Sequence, residues 1–396
     1  MSDKGVFRVT NFAAGPSAIP LEVLEVAQNE FLNYKDSGMS VLELSHRSEL
    51  FESILSEAET NLRGTLNIPD NYKVLFMQGG GTGEFAACYL NMMASDVIFN
   101  KQQSAPGGKQ LKCAYFITGI WSKKAYEECS KIGGSPHAIV DAKKYYNGAG
   151  YFGLPPREEW DMPKPEETAF VYYCDNETIG GVEMEVDSIV PHIDPSIPIV
   201  CDMSSNILSR KFDVSKFGII YAGAQKNIGP SGLTIVIIRD DLLSRNAPNN
   251  TSYIPSVLDY KYFVDQGPMP NTPPTFAIYM CGLVLKHINR IGGLSTLENN
   301  RNAKAKLIYD VLDAFPNCYN NPIDKRYRSK MNIVFTMKDK SLEQKLLKLA
   351  TENHFVEIKG HRSVGGFRIS VYNSITVEQA LKFSELLVSF AKENSQ

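Results

Sequence analysis

Six short runs of apolar residues between positions 72 and 240 limit what this chain can fold into more than any other feature. They lie at 74–77, 114–118, 170–173, 199–201, 219–221 and 234–238. Several are apolar at successive positions, which is typical of strands that are covered on both faces. Helical patterns or long loops separate the runs. The sequence therefore predicts an α/β domain with a mostly parallel central sheet flanked by helices.

A second unit follows the sheet. Residues 247–275 are rich in Pro, Asn and Tyr and predict a long irregular segment. Further patterns predict helices at 276–291, 295–315 and 342–352, a strand at 332–337, extended segments over 355–372, and a last helix beginning with the capping box Thr376 to Gln379. We therefore expect a large domain over 16–270 and a smaller C-terminal α/β domain over 271–396, joined by the N-terminal segment 1–15.

Charge and composition exclude several classes of function. The net charge is −3, and no run of Lys or Arg could follow a nucleic-acid backbone. No segment reaches the roughly 18 apolar residues of a membrane span, and the N-terminus lacks the apolar stretch of a secretory signal. The chain is expected to stay in the cytoplasm. Its seven cysteines are scattered without a CxxC, which predicts buried thiols and no metal site.

The segment GGGTGEF at 79–85 follows a predicted strand and opens a predicted helix. Free backbone N–H groups and the positive helix end meet at such a turn, which suits it to bind phosphate. The same residues fit the loose dinucleotide pattern GxGxxA, so a nicotinamide-dependent dehydrogenase is one alternative. However, the acid expected at the end of the next strand is missing, since Thr118, Gly119 and Ile120 stand there. A turn without a ligand is the other alternative.

Asp202 and Lys226 each follow a predicted strand, in IPIVCDMSSN and IIYAGAQKNIGPSG. Both side chains should lie at the sheet edge where α/β folds bind ligands. No other charged residue stands between Lys216 and Arg239, a poor setting for a solvated lysine. Pyridoxal phosphate requires an amine to form an imine and a carboxylate to keep its ring nitrogen protonated. A structural ion pair is the alternative.

Two more polar or aromatic side chains follow predicted strands. Trp121 could stack on a flat ring, although Trp is also common in cores and interfaces. Thr178, in NETIGG, offers a hydroxyl at the same edge, although Asn and Gly there also suit an ordinary loop.

Two basic clusters stand in opposite halves of the chain. SHRSELF contains His46 and Arg47, and GHRSVGGFRIS contains His361, Arg362 and Arg368. Arginine suits bidentate recognition of phosphate and carboxylate. The clusters would form a clamp for an anionic substrate if the small domain folded over the sheet edge. Taken one at a time, they could equally be exposed charges.

The combined motifs resemble the phosphoserine aminotransferases, a family of class V aminotransferases among the fold-type I pyridoxal-phosphate enzymes. Matching blocks run from NFAAGPS near residue 11 to GHRSVGGFRISVYN at 360–373. The most specific are AQKNIGPSG, PNTPPT and GHRSVGG.

The resemblance implies a role for each candidate residue. Lys226 carries the cofactor as a Schiff base and moves a proton, Asp202 pairs with the pyridinium, Trp121 stacks on the ring, and Thr178 bonds its phenolic oxygen. The cofactor phosphate is held by Gly81, Thr82 and Gln225, with Asn271 and Thr272 from the second subunit of a homodimer. His46, Arg47, His361 and Arg362 bind the substrate phosphate, and Arg368 binds the α-carboxylate.

The implied reaction converts O-phospho-L-serine and 2-oxoglutarate to 3-phosphohydroxypyruvate and L-glutamate, reversibly and by a ping-pong scheme, for serine synthesis. Two positions depart from the family pattern: Thr82 replaces an Arg common in bacterial members, and Ala14 replaces a Ser found in some. Alternatives are a transaminase for unphosphorylated amino acids, a cysteine desulfurase, or a non-catalytic dimeric binding protein. Retention of both Lys226 and Asp202 argues against the last.

Overall fold

The computed structural model describes residues 6–105, 110–246, 254–267 and 270–394. The strands in these ranges are β1 (Thr10–Asn11), β2 (Tyr72–Met77), β3 (Lys112–Ile117), β4 (Pro136–Asp141), β5 (Thr168–Cys174), β6 (Asn176–Glu177), β7 (Val182–Glu183), β8 (Ile199–Asp202), β9 (Ile219–Gly223), β10 (Thr234–Arg239), β11 (Tyr319–Asn320), β12 (Asn332–Met337), β13 (Phe355–Val356) and β14 (Phe367–Ser370). The helices are α1 (Leu21–Glu30), α2 (Glu49–Leu66), α3 (Gly80–Ala94), α4 (Asp96–Gln103), α5 (Ile120–Lys131), α6 (Ala142–Tyr145), α7 (Val186–Ile189), α8 (Tyr260–Asp265), α9 (Thr275–Arg290), α10 (Gly293–Ala314), α11 (Glu343–Glu352) and α12 (Val377–Asn394).

A seven-stranded sheet lies at the centre of the fold, in the order β2-β10-β9-β8-β5-β3-β4. The neighbouring pairs from β9 through β4 are parallel. All six predicted runs fall on strands of this sheet. The predicted α/β fold with a mostly parallel central sheet is therefore confirmed.

Two strands differ from the sequence prediction. β10 runs antiparallel to both of its neighbours, β2 and β9. The short connection from β9 explains this direction, because a parallel crossover needs about a dozen residues or more. β4 was not predicted at all. It is an edge strand that is only partly buried, so its sequence lacks the long apolar run of the central strands.

Alternate residues of each central strand face two separate cores, which explains why successive positions are apolar. In β2, Val74 and Phe76 pack into a core shared with α2 and α9. Leu75 and Met77 face the opposite side, where α3 and α5 contribute. Since side chains alternate across a strand, both faces of the sheet are covered by helices.

A third core lies in the C-terminal part of the chain. The sheet β11-β12-β14 packs with α10 and α12, and Phe12 from the N-terminal segment is buried within this core. β1 pairs in parallel with β13, matching Thr10 with Phe355. The N-terminal segment thus packs with the C-terminal part of the chain. α9 belongs to the first core, and the division at residue 270 stays a prediction.

The segment predicted to be irregular contains a helix within its described residues. α8 begins after Asp259, whose carboxylate accepts hydrogen bonds from the backbone N–H groups of Lys261 and Tyr262. Residues 247–253 and 268–269 of this segment lie outside the described residues. The predicted capping box of the last helix is confirmed, because Thr376 and Gln379 exchange side-chain to backbone hydrogen bonds of 2.9 and 3.1 Å.

None of the helices in the described part of the chain is both long enough and apolar enough to cross a membrane. All seven cysteines are buried, as their scattered spacing predicts.

Candidate active site

Lys226 lies in the turn that joins β9 to β10, at the edge of the central sheet. Its Nζ donates a 2.6 Å hydrogen bond to Thr178 Oγ1 and lies 5.9 Å from the centre of the Trp121 ring. Three residues that the sequence analysis singled out therefore meet at one point. Burial lowers the pKa of Lys226, although the nearby Asp202 carboxylate opposes this effect. A lowered pKa increases the neutral, nucleophilic fraction of the amine.

The N-terminal segment holds the backbone of the Lys226 turn. Ser17 donates its hydroxyl to the Lys226 carbonyl at 2.6 Å and its N–H to the Gln225 carbonyl at 2.9 Å. Gly15 adopts φ +127°, and an added Cβ would lie 3.3 Å from the side chains of both Gln225 and Lys226. The motif NFAAGPS thus needs its glycine because the backbone passes close to the site lysine.

Asp202 ends β8 and is almost fully buried. Its Oδ1 accepts hydrogen bonds from the backbone N–H of Ser204 at 2.9 Å and from the Ser204 hydroxyl at 2.6 Å. Its Oδ2 lies toward Gly81, where an added Cβ would be 3.9 Å away. One oxygen is therefore fixed by Ser204 while the other faces the glycine-rich turn. The sequence analysis missed Ser204, although it stands in the quoted IPIVCDMSSN.

The glycine-rich turn opens α3, as predicted. Gly83 donates to the Gly79 carbonyl at 3.1 Å, so the N–H groups of Gly81 and Thr82 precede the first bond of the helical ladder. Thr82 is exposed. Such N–H groups suit an anion, and they lie beside Asp202.

The segment PNTPPT reaches the same turn within the chain. The Thr272 carbonyl accepts a 3.2 Å hydrogen bond from Gln78, which directly precedes the triple glycine. Asn271 is half-buried and Thr272 is exposed. That Asn271 and Thr272 help to hold the cofactor phosphate of a second subunit stays a prediction.

Glu177 is a buried residue at the site that the sequence analysis did not assign. Its carboxylate accepts hydrogen bonds from the backbone N–H groups of Trp121 and Ser122, both at 2.9 Å, and from the Ser122 hydroxyl at 2.6 Å. The same carboxylate fills the space beside Gly119, where an added Cβ would lie only 2.2 Å from Glu177 Cδ. Because Thr178 is the next residue, Glu177 connects the first turn of α5 to the hydroxyl that holds Lys226.

Arg368 lies on β14, and its Nη1 is 3.5 Å from the Thr178 carbonyl. Burial lowers the pKa of Arg368. Burial also lowers the pKa of His361, and the nearby cations of Arg368, Arg362 and Lys124 lower it further. The structure therefore places Arg368 next to Thr178, the residue that accepts the Lys226 hydrogen bond, while the place of His361 and Arg362 in an anion clamp stays a prediction.

His46 and Arg47 lie in the segment that directly precedes α2. Arg47 is exposed, and its backbone N–H bonds the Ser45 hydroxyl at 3.3 Å. Within the described ranges, no hydrogen bond or ion pair joins either side chain to Lys226 or to Arg368. Their place in an anion clamp stays a prediction.

Known proteins share this fold and sequence over nearly the whole chain. The family model for class-V aminotransferases matches residues 9–104 and 159–383. The phosphoserine aminotransferase of Drosophila melanogaster is 42% identical over 390 residues, covering 98% of this chain and 99% of that protein. The solved structure of the phosphoserine aminotransferase from Bacillus circulans subsp. alkalophilus has a TM-score of 0.85 at 38% identity, covering 98% and 99% of the two chains. A PLP-bound phosphoserine aminotransferase from Trichomonas vaginalis has a TM-score of 0.83 at 36% identity, covering 97% and 100%. This chain therefore belongs to the class-V aminotransferases and, within them, to the phosphoserine aminotransferase family.

Proposed function

We propose that this protein is a pyridoxal-phosphate-dependent transaminase that interconverts O-phospho-L-serine and 2-oxoglutarate with 3-phosphohydroxypyruvate and L-glutamate, in serine biosynthesis in the cytoplasm. The observation that carries the proposal is the half-buried Lys226 amine, which is held 2.6 Å from Thr178 Oγ1 at the sheet edge that also carries Asp202. The names of the relatives support the choice of phosphoserine.

The residues at the site fit pyridoxal phosphate. The indole N–H of Trp121 is buried and has no acceptor among the described residues, so it is open to a partner that the protein alone does not supply. The lowered pKa of Lys226 suits an amine that must react with an aldehyde. Asp202 Oδ2 faces the turn, where the N–H groups of Gly81 and Thr82 precede the first bond of the helical ladder. This donor set matches an aromatic cation that bears a phosphate.

When bound, pyridoxal phosphate supplies an electron sink for the bonds at the substrate α-carbon. Asp202 would keep the ring nitrogen protonated, Trp121 would stack on the ring, and Thr178 would bond the phenolic oxygen. The phosphate would be held by Gly81, Thr82 and Gln225, with Asn271 and Thr272 of the partner subunit. Lys226 Nζ would bind the aldehyde carbon and later move the proton at the substrate α-carbon.

Substrate anions would be bound by the basic residues around Arg368. Arg368 lies nearest to Thr178 and would anchor the α-carboxylate, while His361 and Arg362 would hold the phosphate. His46 and Arg47 would complete the phosphate clamp, in a homodimer with shared active sites.

Two alternatives are less consistent with the structure. A desulfurase needs a cysteine on an accessible loop near the substrate, whereas all seven cysteines are buried. A non-catalytic scaffold has no need for a half-buried amine with a lowered pKa at the same sheet edge as a fixed carboxylate.

One spectroscopic experiment tests the proposal. The purified protein with pyridoxal phosphate should be yellow, phosphoserine should bleach this absorbance, and 2-oxoglutarate should restore it. Bleaching by alanine or cysteine but not by phosphoserine would contradict the proposed substrate.

Ser204→Ala is expected to weaken retention of the cofactor by roughly ten- to a hundredfold. The change removes the 2.6 Å hydrogen bond to Asp202, together with the 3.1 Å bond that the Ser204 hydroxyl accepts from the Gly223 N–H, and leaves the backbone bond to Asp202 in place. A bond to a charged group contributes about 1.5–3 kcal/mol. Fluorescence titration of the apoenzyme with pyridoxal phosphate gives the dissociation constant. Ser209→Ala is the matched control, because it removes a buried hydroxyl from the same loop that does not touch Asp202. Equal affinity in both variants would show that Ser204 does not support Asp202.

Glu177→Gln is expected to displace Trp121 although it preserves the size of the side chain. The amide turns one acceptor into a donor that faces a backbone N–H, which costs about 1–3 kcal/mol in a buried site. In a Trp160→Phe background, Trp121 emission and its quenching by acrylamide report the change in the apoenzyme. Glu127→Gln, on the same α5, is the surface control. Unchanged emission in Glu177→Gln would remove Glu177 as a positioning residue.

A further inference from the structure

Lys124 lies beside the proposed ring-stacking residue. It stands one helical turn after Trp121 on α5, so the two side chains share a face of the helix. The Lys124 ammonium is 4.8 Å from the centre of the Trp121 ring, and the Lys226 ammonium is 5.9 Å from the same centre. Two lysines from different elements therefore approach one indole ring.

Lys124 also adds to the positive potential at His361. The cations of Arg368, Arg362 and Lys124 all lower the pKa of the His361 ring, in addition to the effect of burial. Within the described ranges, no ion pair joins Lys124, Arg362 or Arg368 to a carboxylate. Like charges gathered without a counter-ion repel one another. An anion that enters between them relieves this repulsion.

The neighbouring lysine behaves differently. Lys123 forms an ion pair with Glu127 at 3.5 Å on the exposed face of α5. The two adjacent lysines thus have different partners: Lys123 pairs with a carboxylate, whereas Lys124 lies over the aromatic ring that Lys226 also approaches.

We propose that Lys124 is a substrate-binding residue that contacts the terminal anionic group of the amino-acid substrate and favours a dianionic phosphate over a carboxylate. This inference rests on the proposed function. The selectivity follows from Coulomb's law, because an ammonium attracts two negative charges more strongly than one. A lysine acts there as a point charge that can follow the phosphate oxygens, whereas arginine requires a planar arrangement.

A simpler role for Lys124 is a surface contact with the Trp121 ring. Such a contact would help to hold the ring whichever substrate is present. The two roles therefore differ in one measurable respect, the dependence on the substrate's charge.

Lys124→Gln is expected to lower the single-turnover efficiency with phosphoserine by about five- to tenfold and that with glutamate by less than about twofold. Stopped-flow absorbance of the holoenzyme measures both half-reactions. Lys123→Gln is the matched control and should leave both unchanged, and Lys124→Arg should restore most of the preference. Inorganic phosphate should bind the Lys124→Gln holoenzyme correspondingly more weakly, as measured by calorimetry.

Equal losses with phosphoserine and glutamate, or a loss of the same size in Lys123→Gln, would overturn the role of Lys124. Unchanged phosphate binding in Lys124→Gln would overturn it as well. A parent enzyme that does not react with phosphoserine would contradict the proposed function instead. In that case, the phosphate titration alone would decide whether Lys124 binds this anion.

Discussion

Lys226→Ala is expected to abolish multiple turnover while the protein still folds. The variant loses both the amine that binds the cofactor and the group that moves the proton at the α-carbon. Proton transfer by a positioned group alone typically contributes roughly 10²- to 10⁴-fold, so the rate should fall at least into this range. Since the amine contacts Thr178 through a hydrogen bond rather than an ion pair, its loss should change the free energy of unfolding little.

Steady-state kinetics of the variant measure the loss of turnover. Circular dichroism and thermal unfolding show whether the variant still folds. Lys216→Ala is the matched control, because Lys216 is an exposed lysine on the preceding segment of the chain. A Lys226→Ala protein that turns over near the parent rate would show that another group carries the chemistry. An unfolded variant would show that the turn itself depends on this side chain.

Arg362→Ala and Arg368→Ala are expected to affect the two half-reactions differently. Phosphoserine and glutamate share an α-carboxylate and differ at the other end, where one has a phosphate and the other a carboxylate. Arg368 is half-buried beside Thr178, so it should anchor the shared carboxylate. Arg362 is exposed and belongs to the cations around His361, so it should contact the end that differs.

Truncating one partner of a buried charge pair costs roughly 2–5 kcal/mol, or on the order of tens to thousands of fold. Arg368→Ala should therefore lower the efficiency strongly and to a similar degree with both amino acids. Arg362→Ala should lower it more with phosphoserine than with glutamate. Stopped-flow conversion of the cofactor by each amino acid measures these ratios on the same protein. Arg326→Ala provides a surface control, because its partner Asp324 lies in the same short segment.

Equal losses in Arg362→Ala would exclude that residue from the phosphate contact. A loss selective for phosphoserine in Arg368→Ala would mean that the substrate binds in the opposite orientation. Either result would leave the role of Lys226 untouched, because that role depends on the cofactor rather than on the substrate's charge.

The sequence by itself determined the fold class and the centre of the site. Apolar runs such as 199–201 and 219–221 require burial on both faces, and a parallel sheet brings the ends of such strands to one edge. Asp202 and Lys226 follow these two strands, so their proximity follows from the periodicity alone. The direction of β10 and the presence of β4 did not follow from the sequence. An apolar run does not specify the direction of a strand, and an edge strand needs little apolar surface.

The tertiary structure decided which polar side chains support the site. Glu177 and Ser122 are distant in the chain, as are Lys226 and Thr178, and only packing shows that they meet. A glutamate or lysine in the sequence looks the same whether it faces water or a buried neighbour. Side-chain direction is set by long-range contacts, and these appear only once the sheet has formed.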